Sequence, residues 1–156
     1  MDETRRLAGF VAETGYKDLP AELIDKAGIY LLDNLAAGFV GSAQPWSQMV
    51  VALMDELGGK GEASIFNQAR PADVSRATLV NGVMMGAFEA EHIGHVAHPS
   101  ATVFPAALAI AEREHRDGQS FVAAMMLGYE LVCRIGEAQT RANEAERGVH
   151  NTGGKG

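Results

Sequence analysis

An all-α fold is what this sequence predicts, on three observations. Apolar residues recur three and four positions apart through most of the chain, the period of an amphipathic helix. Proline and glycine fall at the edges of those periodic segments, where they start and stop helices. The single run with an extended pattern, Ala63-Ser64-Ile65-Phe66, is too short to seed a sheet.

Each element can be justified in turn. Leu7, Phe10 and Val11 share a face in a first helix over about 3–14, which stops at Gly15. Pro20 suits a first helical position because its missing N–H would have no partner there, so a second helix is expected over about 20–40. Leu23, Ala27, Tyr30, Leu31, Leu35 and Phe39 line one side of it, and Ala36, Ala37 and Gly38 permit close approach of a neighbour. Asp33 and Asn34 interrupt that apolar stretch, as a cap or an inter-helix hydrogen bond would. Trp46, Met49, Val50, Leu53 and Leu57 mark a third helix over 45–57, closed by Gly58-Gly59. Pro71 is expected to open a fourth, over about 71–88, with Val74, Ala77, Leu79, Val80, Val83 and Met84 apolar. The period runs on through Asn81-Gly82, so that pair reads as a polar core position or a tight contact rather than a turn. A fifth helix starts at Pro99 or Ser100 and runs to about 114, burying Val103, Ala107, Leu108 and Ala111, with Pro105 placed to bend it. Phe121, Met125, Tyr129, Val132 and Ile135 make the stripe of a sixth, over about 118–142, on which Glu130 and Arg134 can pair at i, i+4. Met125 and Met126 read as core filler.

Composition narrows the class of function. The chain has 156 residues, 47% hydrophobic and 21% charged, about one domain's worth. Its formal net charge of −7 argues against nucleic acid as a partner. An anionic ligand would need a locally positive site. The single cysteine, Cys133, cannot form an internal disulfide, which fits a reducing, cytoplasmic setting. Neither a secretory leader nor a membrane span is visible in the apolar pattern, so no membrane partner is expected.

Two places concentrate chemistry. The segment from Phe88 to Ser100 holds Glu89, Glu91, His92, His95 and His98, three of the five histidines among them. Imidazole and carboxylate side chains in one segment can be tuned for proton transfer near neutral pH. The N–H groups of the helix after Pro99 would attract an anion. A solvated loop with ordinary surface histidines is the plain alternative. A zinc site built from His92, His95 and His98 with Glu89, serving a metal-dependent hydrolase, is another, although Gly94 and Pro99 spoil a regular ligand spacing. The second place is Arg147-Gly148-Val149-His150-Asn151-Thr152-Gly153-Gly154, where Arg, His and Thr between glycines could hold a carboxylate and move a proton. Nucleotide-loop spacing is missing from both.

Together these residues resemble a known family. Leu31-Leu32-Asp33-Asn34-Leu35-Ala36-Ala37-Gly38, Asn81-Gly82, His98-Pro99-Ser100-Ala101, Phe104-Pro105-Ala106-Ala107-Leu108-Ala109, Gly128-Tyr129-Glu130 and Arg147-Gly148-Val149-His150-Asn151-Thr152-Gly153 look like the ordered landmarks of MmgE/PrpD enzymes, the 2-methylcitrate dehydratase-like family. The resemblance implies a helical bundle, with residues 1–156 forming only part of the family's N-terminal helical domain. It implies lyase or isomerase chemistry on small polycarboxylates, by proton transfer beside a carboxylate and with no cofactor or metal. It also implies a homodimer. By position it assigns acid–base or substrate-relay roles to His98, His92 and His150, and anion contacts to Thr152 and Arg147, while Glu89, a longer carboxylate where the family has Asp, is a substrate-binding candidate from its local chemistry alone. Where the family commonly has an Asp-aromatic-Asp-Asp-Thr-His run, this chain has Ala87-Phe88-Glu89-Ala90-Glu91-His92, and Asn151 stands where proline is common. Family members continue into further helices, a catalytic lysine and a second α+β domain. This chain alone is therefore expected to be inactive and to expose apolar helix faces that favour self-association. A non-catalytic helical interaction module is the remaining alternative.

Overall fold

The computed structural model describes residues 2–94 and 97–138, and they form an all-α bundle. Six helices follow in order: α1 (Glu3–Glu13), α2 (Ala21–Ser42), α3 (Pro45–Leu57), α4 (Val74–Met85), α5 (Pro99–Arg113) and α6 (Gly118–Ala138), with a single 3-10 turn at Tyr16–Asp18. None of the described helices is long and apolar enough to cross a membrane.

α4 is the centre of the bundle. It packs on α5 and α2 most extensively and on α3 less, while α6 covers α5. Ala77, Val80, Met84 and Met85 of α4 join Phe104 and Ala109 of α5, Met125, Met126 and Tyr129 of α6, and Ala27 of α2 in one core. The two methionines of α6 are core residues as expected. Close approach comes from glycine. A Cβ on Gly41 would lie 1.7 Å from the Met84 carbonyl oxygen, and one on Gly38 would enter the Phe66 ring. A Cβ on Gly82 would lie 2.9 Å from the carbonyl oxygen of Ala101. That carbonyl sits four residues before Pro105, which has no N–H to donate to it. α5 nevertheless continues through Pro105 to Arg113.

Three expectations are corrected. α4 begins at Val74, not at Pro71, because Asp73 caps it by accepting from the Arg76 N–H at 3.2 Å. Pro71 lies outside the helix because the next residue, Ala72, forms a single antiparallel bridge with Ala63. The brief extended run therefore exists as that one bridge. On α3 the inward face is Ser47, Val51 and Met54, while Trp46, Met49, Leu53 and Leu57 are exposed, Met49 at 72%. The face of α3 that meets the bundle carries the polar Ser47, and its apolar stripe thus faces largely outward. The same holds for Phe39 and Leu79, both exposed, whereas Ile29, Leu32 and Val40 of α2 extend an outward apolar surface. On α5 the fully buried residues are Pro99, Ser100, Phe104, Pro105 and Ala109, whereas the expected Val103, Ala107, Leu108 and Ala111 are half-buried.

Asn81 shows why a polar residue sits mid-helix. It is 1% exposed; its Oδ1 accepts from the Phe66 N–H at 2.9 Å and its Nδ2 donates to the Ser64 carbonyl at 2.9 Å. One amide thereby satisfies two backbone groups of the preceding connection, the buried Phe66 N–H and the part-buried Ser64 carbonyl.

Candidate active site

The chemistry-bearing segment links α4 to α5. α4 ends at Met85 with Gly86 after it, and the chain turns through Glu89, whose φ of +50° is left-handed. Gly94 and Ala97 then exchange both backbone hydrogen bonds, each 3.0 Å, and draw the segment into a tight antiparallel loop. Gly94 packs tightly there, and a Cβ in its place would push against the Cys133 sulfur of α6. His98 follows as the residue before the first turn of α5.

Two histidines from this loop meet two carboxylates. His92 Nδ1 lies 2.7 Å from Asp33 Oδ2 of α2, and His98 Nδ1 lies 3.2 Å from Glu91 Oε1. Glu91 is buried, with 3% of its side chain exposed, whereas Asp33 is 43% exposed. The His92 ring stacks on Tyr30 with centroids 4.5 Å apart and planes at 21°, and it lies 5.2 Å from the Tyr129 ring. Tyr129 accepts a hydrogen bond of 2.7 Å from Asn34 Nδ2. The neighbouring residues Asp33 and Asn34 thus hold one member each of a cluster formed by α2, α6 and the loop. Burial pushes the Tyr129 phenol far above its ordinary pKa, against the Asn34 hydrogen bond and with help from the Asp33 charge. Burial also raises the Cys133 thiol, as do the charges of Glu130 and Glu137.

Beside the cluster is a cavity of about 440 Å³, lined by His92, Tyr30, Tyr129 and Cys133 and by apolar residues including Leu23 and Met126. Among the described residues, His92 Nε2, Glu91 Oε2 and Ser100 Oγ are buried without hydrogen-bond partners. Unpaired buried polar atoms are uncommon in structural loops, and three of them lie within ten residues of this one segment.

His92 and His98 are therefore brought into one loop, each with a carboxylate on Nδ1. Glu89 is exposed at the turn and takes part in neither pair. His95, Arg147, His150 and Thr152 lie outside the described residues. No three His, Cys, Asp or Glu residues converge as a metal site among the described residues. Sequence reasoning missed Asp33 as His92's partner, 59 residues away in the chain. The available signal was the polar pair Asp33-Asn34 breaking an apolar helix face.

A helical bundle whose inter-helix loop pairs two imidazoles with two carboxylates is what the described residues define, and comparison with known proteins gives the family. Residues 5–155 match the MmgE/PrpD N-terminal domain, so the chain belongs to the MmgE/PrpD family. It is 31% identical over 157 aligned positions to a cis-aconitate decarboxylase-like protein, oryM, of Aspergillus oryzae, covering 95% of this chain and 33% of that protein. It is 23% identical over 154 positions to a cis-aconitate decarboxylase of Aspergillus terreus, covering 94% of this chain and 31% of that protein. The chain spans about a third of the length of these relatives.

Proposed function

We propose that this chain carries the histidine face of a proton-transfer site for small polycarboxylates, cis-aconitate and its hydroxylated relatives first among them. The supporting observation is the loop that gives His92 and His98 a carboxylate each in a chain of this family. A carboxylate acidifies a neighbouring C–H only weakly, so the site must stabilise negative charge as it develops. In a decarboxylation, the C–C bond breaks, CO2 leaves, the electron pair stays on carbon, and an imidazolium supplies the proton that carbon takes up. In a dehydration, one imidazole takes the C–H proton while a second group protonates the departing hydroxyl. His98 and His92 are the proposed carriers.

The free N–H groups in the first turn of α5, directly after His98, are the proposed anchor for one substrate carboxylate. The described face holds as many carboxylates as imidazoles, Asp33 and Glu91 against His92 and His98. The positive charge a polycarboxylate needs is therefore assigned to Arg147, with His150 and Thr152 completing the site. This chain by itself is expected to bind without turnover, and to self-associate through the outward apolar faces of α2 and α3 as part of a homodimer.

Titrating the chain with cis-aconitate while following its imidazole NMR signals tests the reading. The His98 and His92 signals should move saturably. If they stay fixed at millimolar ligand while the fold is intact, the proposal fails. CO2 release from cis-aconitate by the isolated chain would overturn the expectation that it is inactive.

A further inference from the structure

We infer that Asp33 and Glu91 are positioning residues that lock His92 and His98 in the Nδ1–H tautomer, leaving Nε2 of both rings as the proton-carrying nitrogen. The inference rests on the reading of the two histidines as proton carriers. An ionised carboxylate can only accept hydrogen bonds. An oxygen 2.7 Å from His92 Nδ1 and another 3.2 Å from His98 Nδ1 therefore require the hydrogen on Nδ1 in each neutral ring. Free histidine side chains in water favour the opposite form, so each carboxylate imposes a tautomer the ring would not choose alone.

Other features of the site agree with that assignment. Tyr30 stacking fixes the plane of the His92 ring. His92 Nε2 is buried and finds no donor or acceptor among the described residues, as a nitrogen kept clear for a ligand would. Glu91 is nearly fully buried with its second oxygen unpartnered, an arrangement that burial makes costly. A loop needing only closure would be better served by an apolar residue at this position. The same logic operates wherever a carboxylate orients a catalytic imidazole.

Long-range 1H–15N correlation spectra of the uniformly 15N-labelled chain, recorded above the histidine titration, read the tautomers directly. His92→Gln and His98→Gln assign the signals. Both rings should show a protonated Nδ1 and an unprotonated Nε2. Asp33→Ala should return His92 alone to the Nε2–H form, and Glu91→Leu should return His98 alone. An Nε2–H ring at either position in the unmodified chain overturns the inference for that ring, and so does a tautomer that ignores loss of its carboxylate. The unmodified spectrum decides even if Glu91→Leu does not fold. The tautomers are measured without ligand. Correct tautomers with no response to cis-aconitate would therefore count against the proposed function and leave the positioning roles standing.

Discussion

Two connections leave α4, one at each end, and they are closed by different chemistry. The connection before it, between Leu57 and Val74, has one backbone bridge, Ala63 to Ala72, and its backbone is gripped by the amide of Asn81 and by the Glu112 carboxylate, which accepts from the Ser64 N–H at 2.6 Å. The connection after it, between Met85 and Pro99, also has one bridge, Gly94 to Ala97, but its polar ties are the ionisable pairs Asp33–His92 and Glu91–His98. In the first connection side chains bond to backbone groups, whereas in the second imidazole meets carboxylate, side chain to side chain. That contrast supports placing the proposed proton carriers in the second connection.

The comparison can be broken at its base. Gly41→Ala would set a Cβ 1.7 Å from the Met84 carbonyl, where backbone meets backbone. The cooperative thermal transition followed by circular dichroism should be lost, taking both connections with it. Breaking the first connection alone is the next largest effect. Asn81→Ala strands the buried Phe66 N–H, at about 1–3 kcal/mol, and also releases the part-buried Ser64 carbonyl. Chemical denaturation should therefore show a loss of roughly 1–3 kcal/mol, while the His92 and His98 tautomers stay as they are. A change in those tautomers would show that the two connections are not independent.

Tyr129 sharpens the comparison from the side of the second connection. Tyr129→Phe leaves the buried Asn34 amide without its partner, for about 1–3 kcal/mol. It also removes a pH dependence. The folded phenol holds its proton well above the ordinary value, whereas the unfolded one releases it near pH ~10. Above that pH the unfolded chain binds fewer protons than the folded one, so stability falls as pH rises. The unmodified chain should show that alkaline decline and Tyr129→Phe should show less of it. The smallest effect belongs to Arg134→Ala. The pair with Glu130, 2.6 Å from Arg134 Nε, is largely exposed, so its loss should cost below about 0.5 kcal/mol. A larger value would point to the stacking of Arg134 on Phe10.

The helices were legible in the sequence because amphipathic periods and boundary residues are local signals. α3 matches its expected span, 45–57, residue for residue. Which face of α3 turns inward was misjudged, because the apolar period follows Trp46, Met49, Leu53 and Leu57, which are exposed, while Ser47, Val51 and Met54 are buried. The start of α4 was misjudged because Pro71 and Asp73 are both strong starting signals two residues apart, and the bridge at Ala72 favours the second. In the site, His92 and His98 stood out by the density of titratable residues around them. Asp33 did not, because its role exists only once α2 has packed beside the loop. Glu91 was visible as an added carboxylate, but its burial was not, since sequence offers no sign that a charged loop residue turns inward.

The contact of Gly82 with the Ala101 carbonyl acts as a registration mark between α4 and α5. Pro105 leaves that oxygen without its usual partner one turn on, and the bare Cα of Gly82 is the surface that can sit against it. Sliding α4 by one residue would bring a side chain against the oxygen and pull Asn81 off the preceding connection. The distance along α5 from this mark back to His98 is fixed by helix geometry, one turn or less. A proline and a glycine, neither of them a reactive residue, thereby determine where the second imidazole stands.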